Sequence, residues 1–230
     1  MRNAILVLVF LVLTVLAIPV ILVCALFNLR DAFLAYGRWM MRVGRRILGI
    51  DIVVTGLDRL DRGTPCVFMS NHLSFLDGPL LMTVLDRLAR VIVKRFVLRI
   101  PILGLGMWFS GYVPVDREGA GAGRRSIARA ARSIREKSYS FLIYPEGTRS
   151  LDGKLLRFRR GGFFLALESG APIVPVSVKG TYELMPRGKW LVRKGPVQIT
   201  FHEPIPVTGL TVEKIPELMD RVRAAISSAL

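Results

Sequence analysis

At 230 residues the chain has room for one domain with a sizeable core and an appendage, not for two full domains. Its 33 Lys and Arg against 17 Asp and Glu leave a formal charge of +16, which calls for an anionic partner. A hydrophobic share of 52% directs that partner toward an anionic membrane surface or a phosphorylated substrate. It excludes nucleic acid, for which no zinc-finger, RNA-recognition or helix-turn-helix pattern is present.

Ala4 to Phe27 carries no charged residue. A helix of that length reaches roughly 36 Å, enough for the hydrocarbon core of a bilayer. Cys24 to Asn28 offers no clean cleavage site, so the segment is expected to be retained. Pro19 lacks a donor and predicts a kink, which leaves a straight span and a dipping helix both open. From Asp31 to Leu48 a second helix is expected: Phe33, Tyr36, Met40, Val43 and Ile47 share one face, and Arg38, Arg42, Arg45 and Arg46 lie opposite. That pattern suits an in-plane helix whose arginines meet lipid phosphates, and the arginine excess places it on the cytoplasmic side. Residues 1–49 therefore read as a membrane-associated helical segment.

After Gly49 short apolar runs alternate with helical stretches, which predicts an α/β fold with a mixed central sheet flanked by helices. Strands are expected at Asp51–Thr55, Cys66–Ser70, Val91–Val93, Gly111–Val115, Ser140–Tyr144, Ile173–Val178 and Val197–Phe201. Helices are expected at Pro79–Leu88, Arg124–Lys137 and Gly162–Ser169, the last stopped by Gly170 and Pro172. A small-residue loop, Glu118–Gly123, precedes the middle helix. Cys24 and Cys66, both in apolar runs, read as small buried hydrophobes in a reducing compartment, with no disulfide framework.

Two strand ends carry chemistry. His72 and Asp77 stand five positions apart in Asn71-His72-Leu73-Ser74-Phe75-Leu76-Asp77-Gly78. A neutral imidazole accepts a proton from an alcohol while a carboxylate on its other nitrogen fixes the tautomer, and this spacing needs a turn between the two. Ser74 lies beside the histidine without the G-x-S-x-G elbow of a serine nucleophile. The second strand end is Pro145-Glu146-Gly147-Thr148-Arg149-Ser150, where Gly147 admits an anion close to the backbone and Arg149 can bind phosphate in bidentate fashion. Lys94, Arg159 and Arg160 add cations. A metal would need a further ligand, so none is expected. His202, in Phe201-His202-Glu203-Pro204, ends a strand at a proline turn and reads as structural.

Taken together these blocks resemble the glycerolipid acyltransferases of the 1-acylglycerol-3-phosphate (lysophosphatidic acid) acyltransferase family. The resemblance covers roughly residues 50 to 205 in four ordered blocks: Asn71 to Asp77, Lys94 to Leu98 with Pro101 to Gly104, Tyr144 to Ser150, and Ala171 to Val176. It implies an acyltransferase domain over residues 50–230 that moves a fatty acyl group from acyl-CoA or acyl carrier protein to lysophosphatidic acid, with no cofactor. It also implies that His72 is the general base, oriented by Asp77, and that Lys94, Glu146, Gly147, Thr148, Arg149 and Arg159 hold the acceptor. Apolar residues from Phe96 to Trp108 are expected to line an acyl groove. Acceptors such as lyso-ornithine lipid or glycerol 3-phosphate would carry nearly the same motifs, and a non-catalytic lipid-binding protein of the same fold is the alternative of another class.

Overall fold

A computed structural model describes residues 2–115 and 121–230. The loop expected over Glu118–Gly123 falls largely outside the described residues. Two helices open the chain, α1 (Arg2–Leu26) and α2 (Arg30–Leu48). They are followed by β1 (Ile50–Thr55), β2 (Val67–Ser70), α3 (Asp77–Val84), β3 (Ala89–Lys94), α4 (Leu103–Phe109) and β4 (Val113–Val115). Next come α5 (Ala122–Lys137), β5 (Ser140–Ile143), α6 (Gly161–Ser169), β6 (Ile173–Lys179), α7 (Thr181–Leu184), β7 (Gly195–Phe201) and α8 (Ile215–Ser227).

The strands form one seven-stranded sheet in the order β1-β7-β6-β2-β5-β3-β4. Neighbours pair in parallel except β6 and β7, so β1 and β7 run against the other five. Strand β2 sits in the middle and is buried on both faces, which is why it reads as an unbroken apolar run rather than an alternating one. Val67 and Met69 face a core built from α5, α6 and α8, whereas Phe68 faces a second core under α3, α7 and the end of α2. Each fully buried Leu, Ile or Phe in these layers contributes about 1.5–3 kcal/mol.

Connectivity creates the crevice that matters. From β2 the chain passes through α3 to β3, beyond β5 on one side; from β5 it passes through α6 to β6, beyond β2 on the other. The two helices lie on opposite faces, so the carboxyl ends of β2 and β5 flank a topological switch point, where ligands bind in open α/β sheets. Both sequence blocks with chemistry begin there.

The N-terminal pair of helices is tied to the rest of the chain. Helix α1 runs through Pro19 unbroken and packs along α2, with Gly44 so close to Phe10 that a Cβ would lie 2.8 Å from its ring. Tyr36 donates to the Leu13 carbonyl at 3.0 Å, while Ile21 and Cys24 pack with Phe109 of α4. At the other end the Asn3 amide pairs with both backbone groups of Val192, at 3.2 and 3.0 Å. Both ends of α1 therefore touch the α/β part of the chain. Two of the four α2 arginines reach the end of α3: Arg38 donates to the Leu85 carbonyl, and Arg42, itself exposed, to Thr83 O at 3.4 Å. The carbonyls ending a helix lack intrahelical donors and carry negative partial charge, so they attract guanidinium groups as lipid phosphates do.

Candidate active site

Where β2 ends, fully buried Asn71 ties the turn to β6, donating to Val178 O and accepting from Val178 N, both at 2.8 Å. His72 then turns back over the edge of the sheet. Its Nδ1 lies 2.8 Å from Oδ2 of Asp77, which opens α3. The same carboxylate oxygen accepts the backbone N–H groups of Leu73 at 2.7 Å and Ser74 at 2.8 Å, so the five-residue spacing closes as a turn around the carboxylate. The other oxygen accepts the Thr181 hydroxyl at 2.6 Å. Asp77 is 0% exposed, and burying a carboxylate costs several kcal/mol unless charge-assisted hydrogen bonds of this kind compensate. The His72 ring stacks on Tyr144 at 3.9 Å between centroids and keeps 20% of its side chain exposed. With Nδ1 on the carboxylate, Nε2 has no partner among the described residues.

Glu146 reaches the same turn from β5. One of its oxygens accepts His72 N at 2.6 Å and the other Leu156 N at 2.7 Å. Burial raises its pKa from the ordinary 4.5 to about 7, against the lowering effect of these two bonds. This carboxylate is 2% exposed and ties the His72 turn to the segment around Leu156. Gly147 has φ +69°, a left-handed conformation that a side chain would strain, and its N–H bonds the Tyr144 carbonyl at 2.9 Å. This turn brings Ser150 N onto His72 O at 2.9 Å, so the Tyr144–Ser150 block drapes over the histidine. The backbone N–H groups of His72, Leu73 and Ser74 are all occupied, which removes them as donors to a developing oxyanion. Ser74 is occupied too, donating to Met185 O at 2.7 Å.

The remaining expected residues divide between two places. The Arg149 guanidinium lies 5.8 Å above the ring of exposed Phe75, and among the described residues no carboxylate pairs with it. Exposed Arg187 reaches Arg149 O at 3.1 Å and Thr148 Oγ1 at 3.5 Å, so a cation absent from the sequence blocks stands at this mouth. Thr148 and Arg159 line a cleft of about 890 Å³ together with Glu146, Arg157, Arg160 and Arg223. Lys94 ends β3 on the same sheet edge, with β5 between its strand and β2. An apolar cavity of about 310 Å³ lies between α2, α3 and the 100–107 segment, lined by Phe33, Met40, Met82, Ile100, Met107 and Tyr112 among others. Among the described residues no group of three or more His, Cys, Asp or Glu is arranged to hold a metal ion.

Thr181 and Arg187 were outside the sequence expectations. Thr181 had one available signal, its place just after the β6 block at the same sheet edge. Cys66 is buried as expected, and burial pushes its thiol up to about 11, an inert thiol at neutral pH.

Residues 51–179 match the family model described as Acyltransferase. The human 1-acyl-sn-glycerol-3-phosphate acyltransferase alpha is 32% identical over 211 residues, 92% of this chain and 74% of the human one. Its human beta counterpart is 33% identical over 82% of this chain and 68% of its own length. Among solved structures, the 1-acyl-sn-glycerophosphate (LPA) acyltransferase PlsC from Thermotoga maritima superposes with a TM-score of 0.84 at 26% identity, covering 99% of this chain and 92% of that one. With the family model spanning more than half of the sequence and these relatives aligned over most of both chains, the chain belongs to the acyltransferase family and is an O-acyltransferase.

Proposed function

We propose that this enzyme is a 1-acyl-sn-glycerol-3-phosphate O-acyltransferase, moving a fatty acyl group from acyl-CoA or acyl carrier protein to the free hydroxyl of lysophosphatidic acid. The observation that carries this reading is the His72–Asp77 pair, 2.8 Å apart, with Nε2 turned away from the carboxylate and the His72 N–H bonded to Glu146, which lines the basic cleft. His72 Nε2 takes the proton of the acceptor hydroxyl as its oxygen attacks the thioester carbonyl. The tetrahedral intermediate then collapses: the C–S bond breaks, the ester C–O bond remains, and the imidazolium returns the proton to the thiolate. No acyl-enzyme is required, consistent with Ser74 being bonded elsewhere. Asp77 holds the reactive tautomer and stabilises the imidazolium. Arg149, Thr148, Arg159 and Lys94 bind the acceptor phosphate, Gly147 gives it access to the backbone, and Glu146 holds the loop from behind.

The acceptor is a membrane lipid, and α1 supplies the contact. Leu8, Leu11, Val15, Leu22 and Leu26 point outward from it. A helix that contacts its own domain at both ends cannot cross a bilayer with that domain on one side, so α1 lies in one leaflet, on the cytoplasmic side given the surrounding arginines. The apolar cavity beside α2 takes acyl chain.

Purified protein given lysophosphatidic acid, lyso-ornithine lipid or glycerol 3-phosphate, each with acyl-CoA or acyl carrier protein, should acylate the first acceptor preferentially. His72→Ala should remove acyl transfer by about a thousandfold or more while lipid binding persists. Full turnover by that variant would sink the mechanism, and preference for another acceptor would sink the substrate.

A further inference from the structure

We propose that residues 187–194, between α7 and β7, form a second membrane-docking element that inserts Trp190 and Leu191 into the headgroup layer of an anionic leaflet beside α1. The inference rests on the membrane-surface reading above and adds a contact that neither helix of the N-terminal pair provides. Trp190 is 89% exposed and Leu191 71% exposed; among the described residues no large apolar side chain is more exposed than Trp190. Single exposed leucines are ordinary on soluble surfaces, whereas a Trp-Leu pair at a loop tip has the composition of an interfacial anchor.

Three further observations point the same way. The tip is held in place: Lys189 N bonds Pro186 O at 3.1 Å, Arg193 N bonds Leu184 O at 2.9 Å, and Asn3 clamps Val192. A loop bonded on both flanks presents its apolar tip with little ordering left to be done on binding. Its charge is one-sided, with Arg187, Lys189, Arg193 and Lys194 all exposed and no acidic residue between Leu184 and Gly195. That rim complements anionic headgroups. The loop is also continuous with both functional regions. Asn3 joins it to the start of the outward apolar face of α1, and Arg187 joins it to Thr148 and Arg149 at the mouth beside His72. Docking at this point fixes the height of the active-site mouth at the layer where a lysophospholipid hydroxyl resides.

The test uses the full chain carrying Trp39→Phe and Trp108→Phe, which leaves Trp190 as its only tryptophan. Mixed with phosphatidylglycerol-containing vesicles, Trp190 should shift its emission to the blue, lose access to aqueous iodide and be quenched by lipids brominated high on the acyl chain, more than with phosphatidylcholine alone. Protein that floats with the vesicles while Trp190 keeps its aqueous emission would overturn the proposal. So would a blue shift that appears on concentrating the protein without lipid, which would assign the loop to a second copy of the chain. In a second measurement, Trp190→Asp with Leu191→Asp should lower acylation of a vesicle-borne acceptor by about tenfold or more, leaving acylation of a short-chain, monomeric acceptor unchanged. Equal loss on both acceptors would reject a docking role. Absence of transfer by the unaltered protein would instead sink the acceptor assignment, with the fluorescence still deciding the loop.

Discussion

His72 follows β2 at one edge of the sheet, and His202 follows β7 at the other, because β7 runs antiparallel to β6. Both imidazoles are partly buried and both bond a neighbouring side chain at 2.8 Å, but the partners differ. His72 meets the Asp77 carboxylate through Nδ1, which leaves Nε2 outward. His202 meets Ser177 through Nε2, and the Ser177 hydroxyl is already donated to Ile226 O at 2.7 Å, so His202 is the donor and its protonated nitrogen faces inward. Glu203, its sequence neighbour, pairs with Arg59 at 3.4 Å instead. Burial, with Arg59 nearby, lowers the His202 pKa and keeps that ring neutral. On the proposed mechanism, what separates the base from the structural imidazole is which ring nitrogen the fold occupies and whether the opposing group is a carboxylate.

The sharpest way to break this contrast is to remove the carboxylate. Asp77→Asn keeps the shape but places an amide against His72 Nδ1 and against the N–H groups of Leu73 and Ser74. The tautomer is then no longer held, and kcat should fall by about a thousandfold or more. A loss under tenfold in steady-state assays would mean that Asp77 does not orient the base. Thr181→Val is the subtler cut: it leaves Oδ1 of a buried carboxylate unpaired, at a cost of about 1–3 kcal/mol to be divided between stability and reactivity. Here kcat should drop about tenfold with KM unchanged, and Thr181→Ser should restore it. A rise in KM without loss of kcat would place Thr181 in substrate binding instead.

How legible was this site? The strand ends were, because buried parallel strands read as short apolar runs and the residues after them are polar. Asp77 at the first turn of α3 also follows from the five-residue spacing, which demands a turn. Thr181 was not, since its partner lies 104 positions away and nothing local marks the contact. Glu146 was placed at the right edge without its bonds to His72 N and Leu156 N, because a sequence does not say which backbone groups a carboxylate will meet. The α2 arginines pose the same ambiguity, as lipid phosphates and helix-end carbonyls attract the same group. Helix α8 is absent from the sequence expectations although Ile215, Leu218, Val222 and Ile226 recur at helical spacing and face the core, so that signal was present.

Glu146 tests how far the His72 turn depends on its support. Because folding raises its pKa from 4.5 to about 7, the folded state holds this proton more tightly than the unfolded one. Its contribution to stability is full below about 4.5 and is lost as the pH rises through about 7. In Glu146→Gln that dependence disappears. Thermal unfolding from pH 4.5 to 7.5 should show the unaltered protein losing roughly 2–3 kcal/mol relative to the variant across the window. Parallel curves would mean that Glu146 titrates normally, so that its burial is relieved when the protein moves.

The smallest effect is expected at the other histidine. His202→Gln retains an amide able to donate to Ser177 Oγ, and the site lies across the sheet from His72. Acyl transfer should stay within about twofold of the unaltered enzyme, and stability should fall by about 1 kcal/mol. The His202 N–H to Pro175 O bond at 3.0 Å is a backbone bond and survives the substitution. His202→Leu removes the donor altogether while Ser177 keeps its bond to Ile226 O, so its extra cost measures the imidazole bond alone. If His202→Gln instead reduced kcat as strongly as Thr181→Val, the two sheet edges would be coupled through β6, and the division into a catalytic edge and a structural edge would have to be abandoned.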